Sequence, residues 1–351
     1  MDASSKTLVI RFSSIGDIVL STPLLRLLRA RFPSGQIDYV TRTEYAELVR
    51  SNQNLNRTYE FDASEGFEGL RRLKKKIRDE RYDLIVDIHD SLRSKYLRSI
   101  RGPQRVVLNK RIFERAVLVN AKKNLYKEII PVAERYVETV KGLGIVPDGR
   151  GLELHIPDEV LFGVSGKMAT LRLNNYEKVI GLCPGARHFT KRWPADRFSQ
   201  VGAVLANEYD AKVLLFGGPE ETAHAALICR DINEKSGAER ATNLCGALSL
   251  LETASALEYC DVVVTNDTGL MHIAVAMQRN IVAVFGSTVR EFGFFPYDPE
   301  AVVVETQGLS CRPCSHIGLS ECPEKHFRCM TEIGTEVVCD HARALLSKKR
   351  P

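Results

Sequence analysis

The stretch VVVTNDTGLMHIAVA, residues 262–276, passes from an apolar strand-like run to an apolar helix-like run through Asn266, Asp267, Thr268 and Gly269, with His272 shortly after. A β-to-α turn needs only one or two capping residues to satisfy the first free amides of its helix. Two readings of the surplus stand side by side. Either Asp267 or Thr268 is an ordinary N-cap and His272 is tucked into the first turn, or the helix start is a ligand site whose free amides receive an anion. Two further junctions carry comparable groups. In RFSSIGDIVLSTPLLRLL, Ser13, Ser14, Gly16 and Asp17 occupy a loop and helix start; in GLCPGARHFTKRWP, Pro184, Gly185, Thr190, Lys191 and Trp193 follow a strand-like run. Neither is a GxGxxG or a Walker P-loop, so the common dinucleotide and NTPase readings lose support.

Groups of this kind need rigid elements behind them. A chain of 351 residues exceeds the usual single core, so two domains are expected. With 44% hydrophobic and 26% charged residues it reads as an ordinary soluble globular protein. A net charge of +5 is too small to mark nucleic acid as a partner and suits an anionic substrate or membrane surface better. No apolar run of about 18 residues occurs and no cleavable leader is recognisable, so a cytoplasmic protein that spans no membrane is expected.

Strand-like and helix-like segments alternate along the whole chain. TLVIRF leads to a helix pattern from Asp17 to Arg31, IDYVT to YAELVRS, and the charged helix FEGLRRLKKKIRDE to YDLIVDIH. After a mixed stretch at about residues 147–177 the rhythm restarts with KVIGLCPG, AKVLLFGGPEE, ATNLCG, DVVVTN and NIVAVFG, each but the last followed by a helix pattern. This is βαβ alternation with buried parallel strands, which predicts two doubly wound α/β domains. In such sheets ligands bind beyond the carboxyl ends of the strands, where all three polar junctions fall. The boundaries read as 1–160, 175–330, and a closing helix in 331–351 that packs back toward the first domain.

The segments SSIGDIVLSTPLL, PGARHFTKRWP, FGGPEE, NDTGLMHIAVA and VFGST, in this order and spacing, resemble the heptosyltransferase family, glycosyltransferase family 9. The resemblance covers nearly the whole chain. Its PGA...TKRWP loop and late cysteines are more similar to the second inner-core branch of that family than to the first. It implies a GT-B fold, two Rossmann-like domains facing across a cleft. It also implies inverting transfer of a heptose from ADP-heptose to a lipid-linked lipopolysaccharide core sugar, at the inner face of the inner membrane. The first domain would then bind the acceptor and the second the nucleotide sugar.

Such a reaction needs a carboxylate to take the proton of the attacking hydroxyl and positive groups or amides to hold the departing diphosphate. By the resemblance, Asp17 is the base and Lys191 contacts the diphosphate; the alternatives are a helix cap and a solvated loop lysine. Thr268 and Gly269 open the helix that receives the diphosphate, and His272 adds a hydrogen bond. Asp267, poorly suited to phosphate, accepts from donor-sugar hydroxyls. Glu221 matches a ribose-binding acid, against the alternative of a favourable charge at a helix N-terminus. Leu248 falls where the family packs a residue on adenine, and Thr190 where it touches phosphate. No Asp-x-Asp occurs in the chain, so catalysis is expected to need no metal.

Nine cysteines are present. Cys183, Cys229, Cys245 and Cys260 sit singly in apolar contexts and are expected in the core. LSCRPCSHIGLSECPEKHFRCM instead brings Cys311, Cys314, Cys322 and Cys329 together, with His316 and His326 between them. A structural tetrathiolate metal site and four reduced thiols are both open here. The basic helix with Arg71, Arg72, Lys74, Lys75, Lys76 and Arg78 is a solvated face or a contact with an anionic leaflet. Outside lipopolysaccharide synthesis, the rival readings are a family member that glycosylates a protein or another glycan, and a non-catalytic nucleotide-sugar sensor. Holding both a base and a diphosphate lysine argues against the sensor.

Overall fold

The computed structural model describes residues 1–348. The strands are β1 (Thr7–Ile10), β2 (Ile37–Arg42), β3 (Arg57–Phe61), β4 (Leu84–Asp87) and β5 (Gln104–Val107), then β6 (Lys178–Cys183), β7 (Ala211–Leu215), β8 (Ala241–Asn243), β9 (Val262–Asn266), β10 (Asn280–Phe285) and β11 (Val302–Glu305). They form two all-parallel sheets, ordered β3-β2-β1-β4-β5 and β11-β10-β9-β6-β7-β8. The central strands are apolar and buried on both faces, as helix-covered parallel strands must be. In each sheet the strand order reverses once, between β1 and β4 and between β6 and β9, the positions at which a doubly wound sheet opens a crevice.

The chain divides into two compact units: residues 1–112 with 130–155, and 113–129 with 156–351, of which residues 349–351 lie outside the described range. Both sequence boundaries shift. Segment 113–129 belongs to the second unit. So does helix Asp158–Thr170, where a linker was expected: Val164 and Met168 are buried, and Lys167 pairs with Glu252 at 2.7 Å.

The closing helix, Thr335–Leu346, is also corrected. Its Val338, Cys339, Ala342, Leu345 and Leu346 make one apolar stripe in the second unit's core, with Trp193, Phe198 and Val282. The predicted helix from Asp17 to Arg31 is two helices, Ile15–Val19 and Thr22–Arg31, because Ser21 starts a new one with Pro23 in its first turn. The basic helix, Gly66–Glu80, buries Leu70, Leu73 and Ile77 and turns its charges outward. Arg71 pairs with Glu68 and Arg72 with Glu65, which is the arrangement of a solvated face.

Candidate functional site

In the first unit, Asp17 sits at the crossover loop after β1. It returns a cap to its own helix, Oδ2 accepting from the Ser14 amide at 3.1 Å and the Ser14 hydroxyl at 2.9 Å. A cap uses only that oxygen. Oδ1 pairs with the Arg11 guanidinium at 2.5 Å and accepts from the Tyr136 hydroxyl at 3.0 Å. Arg11 is itself fixed by donating to the Ser13 and Ile88 carbonyls, both at 2.7 Å, which ties the ends of β1 and β4 together. Burial pushes the Asp17 carboxyl up, but Arg11 and the two Ser14 donors outweigh it and hold the group below the ordinary carboxylate range. His89, after β4, shares this neighbourhood: burial first, then Arg11 and Lys110, push its imidazole down to about 4, so it is neutral at physiological pH. Asp17 was legible in the sequence and its partners were not. Arg11 had a signal, a charge closing an apolar strand; Tyr136, 119 positions away from Asp17, had none.

In the second unit the loops after β6, β9 and β10 converge on one loop system. Asn266, fully buried, donates to the Pro184 carbonyl at 2.7 Å and accepts from the Trp193 amide at 3.0 Å, pinning the loop after β6 to the end of β9. Lys191 reaches Asp267 Oδ2 at 2.7 Å, and the Thr288 hydroxyl donates to the same oxygen at 2.7 Å. Thr268 precedes helix Gly269–Ala276 with extended backbone and no side-chain cap. Its buried hydroxyl has no partner among the described residues, nor has that of the fully buried Ser287. Uncapped helix amides, two orphaned hydroxyls and an ammonium on one loop system suit an anion with several oxygens. His272 is buried in the first turn of that helix.

Glu221 lies between two glycine-containing loops. Its carboxylate accepts from the Gly218 amide at 2.8 Å, and a Cβ on Gly185 would stand 1.6 Å from its Oε1, so only glycine lets the two loops approach so closely. Burial raises the Glu221 carboxyl above its ordinary value. If Glu221 holds a ribose, as the resemblance implies, Gly185→Ala, which must expel it from this position, is expected to weaken ADP binding about tenfold, the scale of one charge-assisted hydrogen bond. Calorimetric titration with ADP reads this out, and wild-type affinity in the variant would remove Glu221 from nucleotide binding.

Leu248 is half-buried in the turn after β8. Thr190 departs from the expected phosphate contact. It is buried, and its hydroxyl accepts from the Leu319 amide at 2.8 Å while its own amide donates to the Leu319 carbonyl at 3.1 Å, so it anchors the cysteine-rich loop. In that loop Cys311 Sγ lies 3.9 Å from His326 Nε2, and the Phe327 amide donates to Cys322 Sγ. Among the described residues no three or more Cys, His, Asp or Glu side chains are arranged to hold a metal, and all the cysteines are free thiols. Ser287 and Thr288 were missed as individuals, although VFGST marks their loop.

Two doubly wound parallel units, one with a guanidinium-held carboxylate and one with an anion-ready helix start, define a GT-B glycosyltransferase. The chain belongs to glycosyltransferase family 9 (heptosyltransferase), whose sequence profile matches residues 70–326. It is 29% identical over 297 residues to lipopolysaccharide heptosyltransferase 2 of Salmonella typhimurium, covering 82% of this chain and 84% of that one. Among solved structures, ADP-heptose lps heptosyltransferase II of E. coli superposes with a TM-score of 0.74 at 26% identity, covering 97% of this chain and 98% of that one. A family 9 glycosyltransferase of Veillonella parvula shares the fold at a TM-score of 0.82 and 23% identity, over 99% and 98% of the two chains. The profile spans Lys191, Glu221 and the 266–272 turn; Asp17 lies before it. Among the described residues no helix is long and apolar enough to cross a membrane.

Proposed function

We propose that this heptosyltransferase moves heptose from ADP-heptose to a lipid-linked inner-core acceptor with inversion, working peripherally at the cytoplasmic face of the inner membrane. The observation that carries the reading is the combination around Asp267: an ammonium, uncapped helix amides and orphaned hydroxyls for a diphosphate, with a carboxylate beside them for sugar hydroxyls. Asp17 takes the proton of the acceptor hydroxyl as that oxygen attacks the anomeric carbon. The carbon–oxygen bond to ADP breaks on the opposite face, and the diphosphate leaves into the Lys191 and Gly269 site. Asp17 suits this role because Arg11 keeps it ionised and Tyr136 fixes its direction. Lys191, Thr268, Gly269 and His272 hold the diphosphate, Glu221 the ribose, and Leu248 packs on adenine.

The test is incubation with ADP-heptose and core acceptors truncated sugar by sugar, with mass analysis of the product. One added heptose on an acceptor that already ends in one heptose is the expected result; modification of a protein or another glycan alone would replace the reading. Lys191 and the helix start neutralise the leaving group without a divalent ion, so protein treated with EDTA is expected to keep its full transfer rate. A loss restored by added magnesium would overturn metal-independent catalysis.

A further inference from the structure

The helix Ile112–Ala121 leaves part of its apolar surface outside the core. Leu118 is its buried residue, while Ile112 and Phe113 are 58% and 70% exposed, and Ala116, one turn on, is exposed beside them. Apolar residues on a surface helix normally face the core, and a contiguous exposed set marks an interaction surface. The chain that follows continues the pattern, with Leu125 and Ile129 exposed among Lys123 and Lys127.

The charge of this segment says what kind of surface it meets. Residues 109–129 hold six cations, Lys110, Arg111, Arg115, Lys122, Lys123 and Lys127, against two carboxylates, Glu114 and Glu128, in a chain whose total excess is five. Arg115, Lys123 and Lys127 have no carboxylate partner among the described residues. The segment is also fixed in place: Lys122 Nζ donates to the Cys311 and Pro313 carbonyls at 3.1 and 2.7 Å, and Asn124 donates to Glu291 at 2.9 Å. Exposed Ile and Phe flanked by lysine and arginine are what an interfacial helix presents to anionic headgroups, its apolar side chains reaching the acyl boundary. The basic helix Gly66–Glu80 differs: Leu70, Leu73 and Ile77 are buried, its one large exposed apolar residue, Phe67, packs against the Tyr96 ring, and Glu65 and Glu68 pair with two of its arginines.

We propose that the surface of residues 112–129 docks this protein on an anionic lipid bilayer, inserting Ile112 and Phe113 at the headgroup boundary. The geometry stands alone; its purpose, bringing the enzyme to a lipid-borne acceptor, rests on the function proposed above. The experiment is flotation of the full chain with vesicles of phosphatidylcholine alone or mixed with phosphatidylglycerol, without donor or acceptor. Wild-type protein is expected to float with the anionic vesicles and to be released by high salt. Ile112→Ser with Phe113→Ser should lower the bound fraction by about tenfold or more. Lys123→Glu with Lys127→Glu should lower it by at least as much, since each cation near such a surface is worth on the order of fivefold.

All variants should bind ADP as wild type does and should glycosylate a lipid-free acceptor at the wild-type rate, which separates docking from the transfer chemistry. Equal flotation with neutral and anionic vesicles, or variants that partition like wild type, would overturn the proposal. So would a wild-type protein that ignores vesicles and instead dimerises through Phe113. None of these outcomes depends on which sugar is transferred.

Discussion

Asp17→Asn is expected to lower single-turnover transfer by a factor on the order of 100 or more, the scale for removing a positioned base, while leaving ADP binding unchanged. The separation follows from the contacts. Asp17 is bonded to Arg11, Ser14 and Tyr136, all of the first unit, and none of them belongs to the loops that gather Lys191 and Asp267. Asparagine keeps the size and one oxygen but leaves Arg11 buried without its counter-charge, so a lowered melting temperature should accompany the change. Measuring ADP affinity in the same sample keeps that loss apart from the loss of chemistry. If ADP affinity fell as far in Asp17→Asn as in a Lys191 variant, Asp17 would be shaping the donor site and would not be the base.

The same pair sets a pH signature. A carboxyl held below its ordinary value stays ionised on the acid side of neutrality, so transfer should be flat as pH falls from 7 and decline only below about 4, the ordinary carboxylate value. The stability contributed by the pair has the same sign. It is fully present above the unfolded carboxyl's value and is lost as pH falls through the lower folded value. Arg11→Met removes the strongest influence holding the Asp17 carboxyl down while its burial remains. The acid limb of the rate profile should then move to higher pH, which a purely structural role for Arg11 would not produce.

Much of this was legible in the sequence because period and chemistry coincide there. The runs TLVI, KVIGLC and VVVTN read as buried parallel strands, and each polar junction after them fell at a strand end. What stayed hidden was set by packing. Helix Thr335–Leu346 has an apolar stripe that fits any apolar face, and nothing local chose the second sheet. Gln104–Val107 was missed as a strand because, as an edge, it is largely exposed and its pattern is weak. Thr190 was assigned to phosphate by its place beside Lys191, yet adjacent residues on a short turn point different ways, and the Leu319 backbone claimed its hydroxyl. Asp267 was placed on sugar hydroxyls, and its Oδ2 is in fact held by Lys191 and Thr288.

That last contact changes what Lys191→Ala should do. Lys191 and Asp267 are largely buried at 2.7 Å, so on the proposed reading the diphosphate must enter against an ion pair. Its entry draws the ammonium toward phosphate oxygens and leaves Asp267 with the Thr288 hydroxyl and any sugar hydroxyl that replaces the lysine. Deleting the lysine therefore removes one attraction and also leaves a buried carboxylate facing an anion. ADP affinity should fall on the order of 30-fold or more, at or beyond the low end for truncating one member of a buried charge pair. Transfer should slow as well, because negative charge on the leaving oxygen grows toward the transition state. The two causes are separable in Lys191→Ala with Asp267→Asn, where the stranded carboxylate is gone. If the ion pair shapes the donor site, this double variant should regain part of its affinity for ADP over Lys191→Ala alone, a coupling of about 1 kcal/mol or more between residues in contact. Calorimetric titration of the single and double variants makes the comparison, and strictly additive losses would mean that Asp267 does not oppose the diphosphate and that Lys191 acts on it alone.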